Sequence, residues 1–331
     1  MSQTLKKLWQ RGCDFLGTET AIMGGAMSWV SERNLVAAIS NAGGFGVIAS
    51  GAMPPELLNE EIKGTQALTN KPFGVNLITM HPKISDLIDV CIERNVGHIV
   101  LAGGLPSAEA IKKIKSANIK LICFAPTLSI AQKLVKLGAD ALVIEGHEAG
   151  GHIGPVSTSV LAQEILPHLK DVPIFVAGGI GRGEAIGTYL KMGASGCQLG
   201  TRFVCATESK AHPKFKHAFI KANARNAVVS AQLDSRFPVI PVRALANKAT
   251  QDFTKYQQEI IVKVNNGELE QKAAQLEIEH FWAGALRRAV VEGDIETGSV
   301  MAGQSVGMVT AEQPTKEIIN ELIEQASVYL Q

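Results

Sequence analysis

Leu137-Gly-Ala-Asp-Ala-Leu-Val-Ile-Glu-Gly-His-Glu-Ala-Gly-Gly-His-Ile-Gly154 reads as a helix end, a buried strand and a glycine-rich loop in succession. Residues 141–144 are apolar at every position, so both faces of the strand must be covered, as in a parallel sheet. Gly138 supplies the left-handed cap that ends the helix before it. The same joint recurs at Met192-Gly-Ala-Ser-Gly-Cys-Gln-Leu-Gly-Thr-Arg202, where Gly193 takes the place of Gly138.

Six more apolar runs extend this rhythm, at 21–23, 46–49, 73–78, 99–102, 121–125 and 174–177. With 141–144 and 196–199 the count is eight. Helix-period segments such as 34–41, 107–116, 129–137 and 184–192 lie between them. Eight covered strands, each followed by a helix, predict an α/β chain folded as a (β/α)8 TIM barrel. The competing arrangement is an open doubly wound sheet. The rhythm breaks after Phe203. Residues 213–291 are charged, without paired strand runs, and predict long helices over 244–262 and 275–291. We therefore expect a smaller helical domain, 211–291, inserted in a barrel made of 1–210 and 292–331, with a last amphipathic helix at 315–330.

The chain has 331 residues, 46% of them hydrophobic, and 32 basic against 31 acidic side chains. That supports one large core and argues against nucleic acid or a membrane surface as partner. Lys6, Lys7 and Arg11 interrupt any leader-like apolar segment, and no window is apolar for membrane-span length. Five scattered cysteines without a C-x-x-C fit a reduced, cytoplasmic setting, with Cys123 and Cys197 as small buried hydrophobes.

Chemistry belongs at the strand ends. The loop 145–154 carries two histidines and two carboxylates among four glycines. His152 is the expected catalytic residue, and Glu145 a candidate partner to orient it. His147 reads as solvent-facing. His147 and His152 are five apart with two glycines between them, so a helical zinc motif is not expected. Two glycine-rich turns, Ala177-Gly-Gly-Ile-Gly-Arg-Gly183 and Leu199-Gly-Thr-Arg202, follow the seventh and eighth barrel strands, where such barrels hold phosphate. Backbone N–H groups of Gly178, Gly179, Gly200 and Thr201 form the expected cradle. The phosphate could belong to a flavin mononucleotide, a nicotinamide dinucleotide or a sugar phosphate. Gly44-Phe-Gly-Val-Ile-Ala49 enters a strand instead of leaving one, so it is no dinucleotide fingerprint. Asn76 and Gln198 are polar within apolar runs, and each either bonds a ligand or satisfies nearby backbone. Core packing is the ordinary role for Trp29, Phe124 and Trp282, a pocket wall the other.

Gly24-Gly-Ala-Met27, Asn41-Ala-Gly-Gly-Phe-Gly46, Lys71-Pro-Phe-Gly-Val-Asn76, Val176-Ala-Gly-Gly-Ile180, Gly298-Ser-Val-Met-Ala-Gly-Gln304 and above all Glu148-Ala-Gly-Gly-His-Ile-Gly154 together resemble the nitronate monooxygenases and type II flavin-dependent enoyl-ACP reductases. The resemblance implies a barrel holding FMN non-covalently under the inserted domain. It places His152 opposite the flavin ring, Gly25, Ala26 and Asn76 against that ring, and the phosphate on Gly178, Gly179, Gly200 and Thr201. Glu145, Gly151 and Gln198 complete the expected cofactor-binding set. It implies either oxidation of an alkyl nitronate with O₂ or reduction of an enoyl thioester by NAD(P)H, with NADH:quinone reduction as a third use of the scaffold. A sugar-phosphate isomerase is the non-redox alternative. The reductase branch implies acyl carrier protein as partner, with Arg236, Arg243 and Lys248 as candidate contacts against a merely solvated face. A homodimer stays open.

Overall fold

The computed structural model describes residues 1–51, 53–237, 240–282 and 284–331. Strands β1 (Ile22–Gly24), β2 (Gly46–Ala49), β3 (Phe73–Ile78), β4 (His98–Ala102), β5 (Lys120–Phe124) and β6 (Ala141–Glu145) follow one another around the sheet. After a two-residue strand β7 (Gly151–His152), which lies outside the sheet, come β8 (Ile174–Ala177) and β9 (Gly196–Leu199). All neighbours run parallel in the order β1-β9-β8-β6-β5-β4-β3-β2. The ring closes where Phe45 donates to Ile22 O at 2.9 Å and accepts from Gly24 N at 2.8 Å. The molecule is thus a (β/α)8 TIM barrel, with each of the eight apolar runs forming one of its strands.

Helix α1 (Gln3–Leu16) precedes the barrel. The outer layer is α2 (Arg33–Asn41), α3 (Pro55–Leu68), α4 (Ile84–Glu93), α5 (Ala108–Ser116), α6 (Leu128–Leu137), α7 (Thr158–Ile165) and α8 (Gly183–Lys191). Gly138 and Gly193 sit at φ 109° and 108°, ending α6 and α8 as the repeated joint predicts. Between β9 and the closing helix lie α9 (Pro213–Lys221), strands β10 (Ala227–Val229) and β11 (Val242–Leu245), then α10 (Lys248–Asn265), α11 (Gln271–His280) and the short α12 (Ala285–Arg287). The final helix, α13 (Thr315–Tyr329), packs on α8 and α2 to complete the outer layer.

The segment between β9 and α13 departs from the all-helical expectation. β11 pairs antiparallel with β10 on one edge and with β7 on the other, forming a small second sheet. The helix expected over 244–262 begins only at Lys248, because Asn247 caps it and the preceding residues belong to β11. The helix expected over 275–291 is two pieces. Gly284 adopts φ 71°, the left-handed region, and breaks it before α12 runs into a π-turn at Arg288–Glu292. Phe237, Phe253, Ile260, Ala274 and Ile278 form an apolar cluster of their own here, separate from the barrel core.

Register decides which side chains face the barrel axis. Phe175 meets Phe15 of α1 at 6.3 Å, and Phe45 meets His98 at 4.8 Å, so these rings fill the bottom of the barrel. Side chains alternate along a strand and register partners share a face. Ala177, two residues beyond Phe175, therefore faces inward with its partners Glu145 and Gln198. A Cβ on Gly74 would touch the Phe45 ring at 3.0 Å, so Asn76, two residues on, faces inward as well. Asn76, Glu145 and Gln198 thus belong to one inner layer near the C-terminal mouth.

Candidate functional site

The loop after β6 is tied down on every side. The Glu148 carboxylate accepts from Thr158 N at 2.9 Å and from the Thr158 hydroxyl at 3.0 Å, capping α7. Its carbonyl accepts from Gln304 N at 3.0 Å. His147, expected to face solvent, is half-buried. Its backbone N donates to Val156 O at 2.7 Å and its Nδ1 lies 2.9 Å from Gly154 O. The loop closes on itself through that ring, so His147 holds the loop in shape. Arg243 then locks the loop to β11. It is buried, with Nε and Nη2 donating to His147 O at 3.2 and 3.0 Å and Nη1 to Ala227 O at 2.7 Å. A guanidinium committed in this way cannot meet a partner protein. Arg236 is bound to Asp234 and Asn265 Oδ1, and Lys248 to Asp252.

Beyond this clamp the chain extends as Gly151–His152. Gly151 takes φ 74°, and His152 pairs with Val242. The His152 imidazole has no hydrogen-bond partner among the described residues and opens to solvent. Protein packed around it removes part of its hydration and lowers its pKa, so the ring is neutral at pH 7. The structure does not join Glu145 to His152 by a hydrogen bond. Glu145 instead faces the barrel interior without a hydrogen-bond partner among the described residues, and desolvation pushes its carboxyl up to about 7.

Two turns meet beside this loop. Gly178 and Gly179 have φ 95° and 72°, conformations that L side chains rarely adopt. A Cβ on Gly179 would lie 2.9 Å from Glu148 Cβ, so the turn and the His152 loop are in contact. On the neighbouring strand, a Cβ on Gly25 would lie 3.1 Å from Gly200 Cα, bringing the turn after β1 directly onto Gly200. Ser31 holds that turn open, its hydroxyl donating to Gly25 O at 2.7 Å and accepting from Met27 N at 3.0 Å, with Ala26 half-buried between. Thr201 Oγ1 accepts from Gly303 N at 2.9 Å, while Gly303 also packs on Glu148 O and Gly150 N. The turns at 178–179 and 200–201 thus lie against the loop at 148–152 at the barrel mouth.

The donors there are free. Among the described residues, no protein acceptor takes the N–H groups of Gly179, Ile180, Gly200 or Thr201. Such groups cost free energy when shielded from water without a partner, so two adjacent turns that leave them open favour an anionic ligand. Gln198 is buried, and its side-chain amide likewise has no protein partner; Asn76 Nδ2 donates to Val100 O at 3.2 Å. Arg202, next to Thr201, is 3% exposed. Its Nη2 donates to Glu321 at 2.7 Å and Gln313 at 3.0 Å, whereas Nε and Nη1 have no partner.

Sequence reasoning missed Arg243, Ser31, Arg202 and Gly303 as organisers of the site. Gly303 stood in a recognised motif, but only long-range contacts reveal that it links Thr201 to the loop. Trp282 lines a cavity in the inserted segment, and Trp29 is exposed at φ 68° beneath the Arg287 guanidinium.

The family model for nitronate monooxygenase matches residues 10–94 and 85–325. The chain is 30% identical to a nitronate monooxygenase of Paraburkholderia phytofirmans, covering 71% of this chain and 76% of that one. It is 29% identical to a dehydrogenase of Rhodococcus jostii that acts on a hydroxy-methyl-oxo-octahydroindene carboxyl-CoA, covering 95% and 94%. FabK of Thermotoga maritima superposes with TM-score 0.86 and 36% identity, over 96% of both chains. With the barrel and the grouped loops in place, these likenesses establish that the chain belongs to the nitronate monooxygenase family of oxidoreductases.

Proposed function

We propose that this chain is an FMN-dependent oxidoreductase that oxidises alkyl nitronates with O₂. One observation carries the reading: two adjacent turns hold four backbone donors that are unpaired among the described residues, and they lie against the loop that carries the His152 imidazole. The donors of Gly179, Ile180, Gly200 and Thr201 would take the FMN phosphate, a use that satisfies groups the protein leaves open. Asn76, Gln198 and the close turn at Gly25 and Ala26 would border the ring. When bound, FMN would supply an acceptor for two electrons from the substrate.

The remaining work falls to side chains. A neutral His152 offers one N–H and one free nitrogen. The N–H can hold a nitronate oxygen, and where the neutral nitroalkane is offered the free nitrogen can accept the proton that its α-carbon loses in giving the nitronate. With its pKa near 7, Glu145 spends part of its time as the neutral acid, which lessens repulsion of an anionic substrate. The loop anchored by Arg243 and Glu148 fixes the direction of approach.

A second reading, reduction of an enoyl thioester by NAD(P)H, is favoured by the 36% likeness to FabK. In that case His152 would donate its N–H to the thioester carbonyl. Anaerobic stopped-flow on the FMN-loaded protein separates the two. Propyl-2-nitronate, NADH and NADPH are offered separately. We expect the nitronate to bleach the flavin and, once air is admitted, to consume O₂ without NAD(P)H. Bleaching by NAD(P)H alone transfers the case to the reductase reading. A protein that takes up no FMN at all rejects both and returns the site to phosphate chemistry without redox.

A further inference from the structure

A cavity of about 250 Å³ lies between the small sheet and α10. Val228, Val242 and Ala244 form its sheet wall, and Phe253 and Trp282, with rings 5.2 Å apart, contribute aromatic surface. Its remaining walls are small or neutral groups, Ser299 among them, and no charged side chain lines it. A nucleotide or a sugar phosphate would find no cation there. Ser230, Thr250, Gln251, Thr254 and Ser299 are polar but uncharged, and a hydrocarbon chain would find its apolar contact along the sheet wall and the two rings.

The register connects this cavity to the site. Val242 is the cross-strand partner of His152, and Ala244 that of Val228. Antiparallel partners share a face, as do residues two apart on a strand. His152, Val242, Ala244 and Val228 therefore emerge from one face of the sheet, while Arg243 leaves from the other to bind His147 O. Directly opposed residues stand about 5 Å apart at Cβ, so the apolar wall begins beside the imidazole. We propose that this cavity receives the unbranched apolar chain of the substrate, with the reacting group held at His152.

The inference rests on the redox reading for the identity of the reacting end, but not for the chain. It applies equally to a long-chain nitronate and to a long-chain enoyl thioester, because both carry the same tail.

The test compares four-carbon and ten-carbon members of each series: 1-nitronates, and trans-2-enoyl thioesters of N-acetylcysteamine with NAD(P)H. In the wild-type protein, kcat/KM of the active series should rise roughly tenfold or more from four to ten carbons. Thr254→Phe fills the cavity from α10, away from the strand that holds His152, and should return the ratio of long to short toward one; Ala244→Phe repeats the test from the sheet. Calorimetry with saturated butanoyl and decanoyl thioesters reads the cavity without any redox step and should show tighter binding of the longer chain, lost in Thr254→Phe. Equal binding of both lengths by the wild type, or equal losses for both in Thr254→Phe, overturns the chain site. Chain-selective binding without turnover of either series keeps the chain site and removes the redox reading instead.

Discussion

The barrel carries a histidine at each end, and their surroundings are opposite. At the bottom, His98 is 5% exposed, with its ring edge-on to Phe15 at 5.5 Å and Phe45 at 4.8 Å. Its Nε2 lies 3.1 Å from Phe15 O, which also accepts from Lys120 Nζ. Burial pushes its pKa down to about 4, so it stays neutral as a piece of packing. At the mouth, the His152 imidazole has no ring packed on it and no hydrogen bond among the described residues. Around it Glu145, Gln198 and four backbone donors are also unpaired. Folding alone favours pairing such groups, because each unsatisfied one is unfavourable once water is removed. The bottom follows that preference apart from one ring nitrogen of His98. The mouth leaves several such groups to solvent in one place, an arrangement that a ligand can complete.

The sharpest way to break this contrast is His152→Ala. Turnover should fall on the order of 100-fold, the scale of a lost acid–base or electrostatic group. Flavin content and thermal midpoint should stay near wild-type values, since the ring is solvent-exposed and makes no hydrogen bond to the described residues. In the intact protein with the neutral nitroalkane as substrate, kcat/KM should rise with pH through an inflection below the ordinary imidazole value of 6.5, because protonation removes the nitrogen that accepts the α-proton. Full turnover in the variant would make both histidines structural.

Gly179→Val probes the donors instead of the imidazole. Left-handed backbone disfavours a β-branched residue, and its Cβ would meet Glu148 rather than the ligand space itself. The turn must shift, carrying the Gly179 and Ile180 N–H groups off target. FMN should bind tenfold or more weakly, measured by fluorescence titration of the apoprotein. Unaltered affinity in a folded variant would show that these donors hold nothing.

The two ends were unequally legible in the sequence. Barrel strands such as 141–144 and 174–177 are apolar throughout because helices cover one face and the axis the other, and no partner need be known to see this. The glycine turns were visible for the same local reason. β10 and β11 were hidden, since they are three and four residues long and β11 owes its place to β7 in the distant histidine loop. His147 was misplaced because its acceptor, Gly154 O, lies within a loop whose fold is set by Arg243. Glu145 was read as the partner of His152, but a hydrogen bond between them requires two loop directions that no spacing records.

His98→Ala is the counterpart of the first variant and should invert its result. It removes a ring from a packed layer while Lys120 still serves Phe15 O. Stability should fall by about 1–3 kcal/mol in denaturant unfolding, from the cavity left between Phe15 and Phe45. Turnover per folded molecule should remain at the wild-type value. A loss of turnover with stability intact would place chemistry at the closed end.

The smallest effect concerns Glu145, and its sign is set by burial. Its folded pKa of about 7 stands above the ordinary 4.5, so between those values the folded protein holds a proton that the unfolded chain releases. That contribution to stability is complete below pH 4.5 and disappears as pH rises through 7. Glu145→Gln cannot titrate. The thermal midpoint of the wild-type apoprotein, taken relative to this variant, should therefore decline by a few degrees between pH 5 and pH 8. Loading with FMN should change the slope if the ring covers Glu145, by altering its hydration. A difference that is flat with pH would mean that Glu145 is solvated like any surface carboxylate, and the mouth would then resemble the paired bottom more closely than its geometry indicates.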